Sequence, residues 1–567
     1  MEFKMRLLSV LCISTVVLSG CGSSGDGSSS NNHAPVASNV AIEDINGGDI
    51  RTQDILKATY QYTDQDGDQE GNTKFRWTID GKVVSEESEY APVYADIGKT
   101  ITLEVTPVAS DGKTTGNAVS VETDSAVLER ELLIFTAMAE PEDEFDIAAT
   151  AVPSPGENFL GLYATDGSES GTTLLRKVVI ATKPEKLDNN FIIPIGYWND
   201  ENTPRGALLL SDGTAEGTKT IKESSIDELP WGLATFNGKV FLSWENADTG
   251  RELWVTDGTE ENTKLFKDLI PGEESSSPAE FTVVGDQMYF RAYASDGSRK
   301  YVLWQTNGTE EGTEEVSPAV YNPRNLTEYK GNLVLAGSIN QDLPADIEPL
   351  YLDTDTGETT LIADINPGLN TSNPSFYTHG DRLLIRANSP TYGNQRLWFS
   401  QGETGDPELI EATAAAFPYV YATSQGLFGI NSSNPDEPYA SLWSLNETEG
   451  ATKMTMENNL EYKPLYIADL NGTAYVSAQD AMEDRELYRV EEGTLKLVAD
   501  INENGSSYPG YLTTVNNTLV FIAQNDEFGR ELWRTDGTET GTQLLMDITA
   551  GTQSSDIILD LSKNPRF

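Results

Sequence analysis

The sequence predicts an all-β chain in which an N-terminal β-sandwich precedes a large β-propeller of about nine four-stranded blades, or eight with one irregular unit. Three observations lead there. A pattern typified by Leu253-Trp254-Val255-Thr256-Asp257-Gly258-Thr259 and Leu532-Trp533-Arg534-Thr535-Asp536-Gly537-Thr538 recurs, with further copies from Leu162, Leu208, Leu303, Leu350, Leu397, Leu442 and Leu487, at spacings of 45 to 50 residues. A proline marks the same place in successive periods, at Pro184, Pro230, Pro278, Pro323, Pro374, Pro418, Pro464 and Pro509. The ends of the repeat region are complementary: Leu132-Leu133-Ile134-Phe135 corresponds to the second strand of a unit, and Asp556-Ile557-Ile558-Leu559-Asp560-Leu561 to a first strand. Pairing them completes one blade and removes two open sheet edges.

One period reads as four antiparallel strands. Pro278 opens a strand, Gly285-Asp286 turns the chain, and Met288-Tyr289-Phe290-Arg291-Ala292 returns as its hairpin partner. A loop then leads to Leu303-Trp304-Gln305-Thr306, a turn through Asn307-Gly308-Thr309, and an outer strand. Asp166, Asp212, Asp257, Asn307 and Asp536 each precede a glycine, which supplies the positive φ that the reversal needs. The next hydroxyl residue is placed to cap exposed backbone groups. In weaker copies Gln401, Asn446 and Glu491 occupy this neighbourhood, so the recurring Asp reads as a turn former and not as a calcium ligand. Connectors such as Lys267-Asp268-Leu269-Ile270-Pro271-Gly272 and Ala363-Asp364-Ile365-Asn366-Pro367-Gly368 link successive units.

Before the repeats, residues 34–128 show alternating strands bounded by Asp66-Gly67, Asp80-Gly81 and Asp111-Gly112, with Trp77 placed to fill a sandwich core. Asp64, Asp66, Asp68 and Glu70 alternate in one loop, a pattern suited to a hard cation such as Ca²⁺. The competing reading is an acidic turn, since the glycine and the missing terminal Glu depart from an EF-hand loop. No other cofactor is expected.

The first 20 residues read as an export signal: Lys4 and Arg6 precede an apolar run from Leu7 to Leu18, too short to span a bilayer. A Gly, Ser and Asn tract follows as a flexible tether, residues 21–33. With 90 acidic and 38 basic residues, the net charge of -52 disfavours nucleic acid and anionic membrane faces as partners. Cys12 falls in the signal, which leaves Cys21 alone and excludes an internal disulfide.

Leu18-Ser19-Gly20-Cys21 resembles the lipobox of bacterial lipoproteins. That resemblance implies diacylation of Cys21, anchoring through acyl chains, and, with Gly22 following, passage to the outer membrane, with display at the inner leaflet or at the cell surface both left open. Residues 34–128 resemble immunoglobulin-like or cadherin-like modules. The Leu-Trp-Val-Thr-Asp-Gly-Thr copies, preceded by Arg251-Glu252 and Arg530-Glu531, resemble the bacterial repeat with consensus ELWxxDGT over residues 129–567. That family implies a propeller in an exported protein and no particular activity.

Only His33 and His379 are present, which argues against Ser-His-Asp, Cys-His and multi-histidine metal chemistry. Arg291, Arg382 and Arg386 fall on first hairpins and read as solvated strand residues. The expectation is a lipid-anchored envelope protein, not an enzyme, whose propeller is a binding or scaffolding platform for a protein or glycan. The alternative is a propeller enzyme acting on extracellular polysaccharide.

Overall fold

The computed structural model describes residues 32–559 except 46, 140–158, 179, 199–203, 225–227, 341, 369–370, 392, 403–407, 410–416, 432–439, 447–449, 457–462, 481 and 556. The export signal, Cys21, most of the tether, and Asp556, Asp560 and Leu561 of the closing segment lie outside these residues. Strands dominate; among the described residues the single helical turn is a 3-10 turn at Tyr94–Asp96, and no helix is long and apolar enough to cross a membrane. The chain divides into two compact units, Met1–Glu129 and Arg130–Phe567.

The first unit holds two antiparallel sheets. One joins Val36–Asp44, Leu56–Thr63 and Glu89–Tyr90; the other orders Lys82–Ser85, Lys74–Ile79, Thr102–Thr106 and Val119–Glu122. Their inner faces share one core, in which Ala37, Leu56 and Ala58 meet Trp77, Leu103 and Val105. Trp77 is fully buried, and its Nε1–H donates to the Glu87 carbonyl at 2.9 Å, so the ring fills the core without leaving a polar atom unmet.

The second unit is a β-propeller. Its sheets repeat one plan, shown by Trp231–Phe236, Lys239–Asn246, Gly250–Thr256 and Lys264–Lys267, hydrogen-bonded in that order and antiparallel throughout. First strands follow in turn at Glu185–Leu187, Trp231–Phe236, Ala279–Val284, Tyr321–Tyr329, Ser375–His379, Tyr419–Thr423, Lys463–Leu470 and Gly510–Val515. Each of these touches the next, as the inner strands of sheets arranged around an axis must. At Pro323 and Pro464 the strand begins one or two residues before the proline. The inner edge tolerates this because no partner needs the missing N–H.

Apolar clusters lie between consecutive sheets. Leu187 and Ile192 pack on Val240 and Leu242; Phe236 and Leu253 pack on Met288 and Phe290; Phe428 and Leu442 pack on Ile467 and Val476. One further cluster joins the last sheet to the first: Val520, Ile522 and Leu532 meet Phe135, Ala137 and Tyr163, together with Ile557 and Leu559. Thr136 and Ile558 exchange backbone hydrogen bonds at 3.2 and 2.8 Å. Asn516 and Glu131 add three more across the same junction, at 2.7 to 2.9 Å. The C-terminal segment thus supplies the innermost pairing of the first sheet, and the ring closes between residues more than 400 positions apart.

Candidate functional site

The ring has two chemically different ends. At one, each third strand finishes in the Asp-Gly turn. Asp257 Oδ1 accepts the Thr259 N–H at 3.0 Å and its hydroxyl at 2.6 Å. Asp166, Asp212, Asn307 and Asp536 accept the same pair of donors from Ser168, Thr214, Thr309 and Thr538. Gly258 has φ of +87°. Five residues after Asp536, a Cβ on Gly541 would stand 2.0 Å from the carboxylate. Where Asn262 replaces that glycine, its amide donates to Asp257 Oδ2 at 2.7 Å instead. Hydrogen bonds from the Thr538 hydroxyl and N–H hold Asp536 below the usual carboxylate range, and those from Thr259 do the same for Asp257. At each of these turns Oδ1 is committed to holding the reversal.

At the opposite end, where the first strands begin, a second repeated device was missed in the sequence. Glu252, Glu348, Glu486 and Glu531, just before the Leu-Trp or equivalent pair, are at most 4% exposed. Glu531 accepts the Ile548 N–H at 2.9 Å, the Ser555 N–H at 3.1 Å and the Ser555 hydroxyl at 2.7 Å. Glu252 grips Leu269 and Ser276 the same way, and Glu486 grips Ile501 and Ser507. Each carboxylate therefore ties the connector of its unit to the third strand. Burial pushes all four up to about 7, against the opposing pull of these donors.

The first strands at this end carry β-bulges, between Trp231 and Ala234, Ala279 and Thr282, Pro464 and Tyr466, and Gly510 and Thr513. Bulges twist a strand and re-aim its side chains. Gly232, Glu280 and Tyr511 take the left-handed conformation inside them, at φ of 62°, 56° and 53°. Four consecutive first strands present tyrosines: Tyr377, then Tyr419 and Tyr421, then Tyr466, then Tyr511. Tyr466 and Tyr511 stack at 5.6 Å, and Arg386 lies over Tyr377 at 5.7 Å. Burial, with Tyr419, Tyr466 and Tyr377 close by, pushes Tyr421 up to about 12. Tyr419 is 58% exposed and Tyr508, just before Pro509, 46%.

Arginines on several sheets have local partners. Arg251 lies over Trp231 at 5.5 Å and pairs with Glu228 at 2.9 Å and Glu245 at 3.6 Å. Arg291 pairs with Glu280 at 3.5 Å. Arg386, which the sequence suggested was a solvated strand residue, is half-buried and donates to the Pro418 carbonyl of the next sheet. Arg382 is exposed.

Three of the four loop carboxylates of the first unit go to separate tasks, and Asp68 enters through its backbone N–H. Asp66 accepts the His33 N–H and faces its ring Nδ1 at 3.0 Å; Asp64 Oδ1 accepts the N–H groups of Asp66 and Asp68. Glu70 accepts the hydroxyls of Tyr60 and Thr73. Among the described residues no group of three or more His, Cys, Asp or Glu is arranged to hold a metal ion.

No protein-family model and no curated protein matches the chain. Solved structures do. The β-propeller domain of the Trilobed protease from Pyrococcus furiosus matches at 12% identity and a TM-score of 0.31, over 58% of this chain and 100% of that one. An acylaminoacyl peptidase from Pyrococcus horikoshii matches at 12% and 0.31, over 65% of this chain and 53% of its own. Dipeptidyl peptidase 4 from Porphyromonas gingivalis matches at 9% and 0.40, over 64% and 62%. The chain thus spans between half and two thirds of the two peptidases. The expectation that the chain is not an enzyme is corrected here: scarcity of His and Cys excludes only chemistry built on those side chains, and Tyr, Arg and carboxylates remain.

Proposed function

We propose that this chain is an exported, lipid-anchored protein whose nine-bladed ring acts on an extracellular polysaccharide, engaged at the end where the first strands begin. The observation that carries this reading is the unbroken run of tyrosines on four consecutive first strands. Rings partly open to solvent and backed by a few fixed polar groups suit the apolar faces of sugars. Tyrosine, arginine and carboxylate, as in Arg291 with Glu280, are the residue types left for catalysis in a chain with two histidines. Nine blades are supported by the succession of four-strand sets with an apolar cluster between each pair, the last with the first included. An immunoglobulin-like sandwich is supported by the two sheets sharing the Trp77 core. Cys21, followed by a flexible tract, would anchor both units at the outer membrane through acyl chains.

The test incubates the full chain with a panel of extracellular polysaccharides and follows co-sedimentation and release of reducing ends. A polymer should be retained and shortened, both effects weakening in Tyr466→Ala. Absence of retention and of cleavage across neutral and acidic members would overturn the reading.

A further inference from the structure

In a chain with 90 acidic side chains, two guanidiniums at the same position of consecutive sheets stand without a carboxylate among the described residues. Arg485 and Arg530 occupy the position of Arg251 in their own sheets, one residue before the buried Glu. Arg251 is answered by Glu228 and Glu245. Among the described residues neither Arg485 nor Arg530 has an ion-pair partner, and Nη1 of Arg485 is enclosed without a hydrogen-bond acceptor. An enclosed, unpaired cation is costly to a fold, so its retention points to a partner that arrives from outside.

The surroundings define that partner. Arg485 pairs across its sheet with Gln479, which pairs in turn with Lys463, placing it level with the start of the first strand; Arg530 stands at the equivalent level opposite Gln524. Tyr466 lies within electrostatic reach of both guanidiniums, and Tyr508 of Arg485. Gly510 sits between the two groups: a Cβ there would be 3.4 Å from the Tyr466 ring and 3.6 Å from Arg530 Nη2. Tyr508 and Tyr511 hold φ of 48° and 53°, a region that bulky residues seldom enter.

We propose that Arg485 and Arg530, framed by Tyr466, Tyr508 and Tyr511, form a receptor for the carboxylate of an acidic sugar in a sparsely charged glycan. Two adjacent guanidiniums match a carboxylate, while the phenol rings take the sugar faces. The net charge of -52 repels a densely charged polymer but costs little against one carboxylate per several sugars. This inference rests on the polysaccharide reading and narrows it.

Calorimetric titration of the full chain with glucuronosyl-maltose, which carries one carboxylate on three sugars, maltotriose and an N-acetylated tripeptide acid tests it. Glucuronosyl-maltose should bind well above maltotriose. Arg485→Gln and Arg530→Gln should each weaken it about ten- to a hundredfold, the loss of a charge-assisted contact. Both variants should unfold at or above the wild-type temperature, because each removes an unpaired cation; a structural arginine would give a lower one. Should either variant fail to fold, Tyr508→Ala, at an exposed site, reads the same contact. Equal binding of glucuronosyl-maltose and maltotriose overturns the carboxylate receptor and leaves the polysaccharide reading standing. Failure of both sugars, together with the polysaccharide panel, overturns both. Tighter binding of the peptide acid overturns the sugar assignment.

Discussion

Glu531→Gln isolates the energetics of the buried glutamates. Burial raises Glu531 from 4.5 to about 7, so the folded chain holds a proton there that the unfolded chain has released. A raised carboxyl contributes stability that is complete below about 4.5 and is lost as pH rises through about 7. Within that window the slope is about 1.4 kcal/mol per pH unit, or on the order of 3 kcal/mol in all, for one glutamate. Glutamine keeps the shape and an oxygen to accept from Ile548 or Ser555 but does not titrate. Its pH-independent cost shifts the curve; the titration changes its slope. Urea unfolding of wild type and variant at several values between pH 4.5 and 8 should therefore give a stability difference that moves by about 3 kcal/mol, with wild type gaining as pH falls. Gln553→Ser, at an exposed residue without a titrating side chain, serves as the control and should give parallel curves. Parallel curves for Glu531→Gln as well would refute the assignment of a raised, buried carboxyl.

Two other outcomes follow from the geometry. Gly541→Ala places a methyl 2.0 Å from Asp536 and should lower stability by about 1–3 kcal/mol in thermal unfolding, whereas Gly541→Asn should cost less, because Asn262 already makes the compensating bond in another sheet. Because Glu70 is engaged by Tyr60 and Thr73, millimolar Ca²⁺ should leave the melting of the full chain where chelator leaves it; a rise would reinstate a site at Asp64, Asp66, Asp68 and Glu70.

The propeller is legible in the sequence because a fixed period of strands, turns and prolines admits few other solutions. Local chemistry is the easiest part to read: the donors to Asp257 all lie within five residues of it. The role of Glu252, Glu348, Glu486 and Glu531 is not legible in the sequence, since a charged residue beside a strand usually faces water. Their partners lie 15 to 24 residues onward, in connectors whose own similarity hides the acceptor they need. The tyrosine arc and the unpaired arginines were harder still. The tyrosines sit outside the motif, and the arginines stand at its leading edge without the acidic partners that Arg251 has; on separate repeats, they come together only when bulged first strands turn inward around the axis. Scarcity of His and Cys excludes certain mechanisms, not catalysis as a whole.

Closure of the ring is the claim on which the blade arrangement and the inner-strand site both depend. Hydrogen exchange followed by mass spectrometry tests it directly through the strand Leu133–Ala139, whose Thr136 bonds to Ile558. In the full chain this strand should exchange slowly, and deletion of residues 556–567 should make its Thr136 amide exchange fast while a distant strand such as Gln287–Tyr293 stays protected. Unchanged protection of Thr136 in the truncated chain would contradict a closed ring.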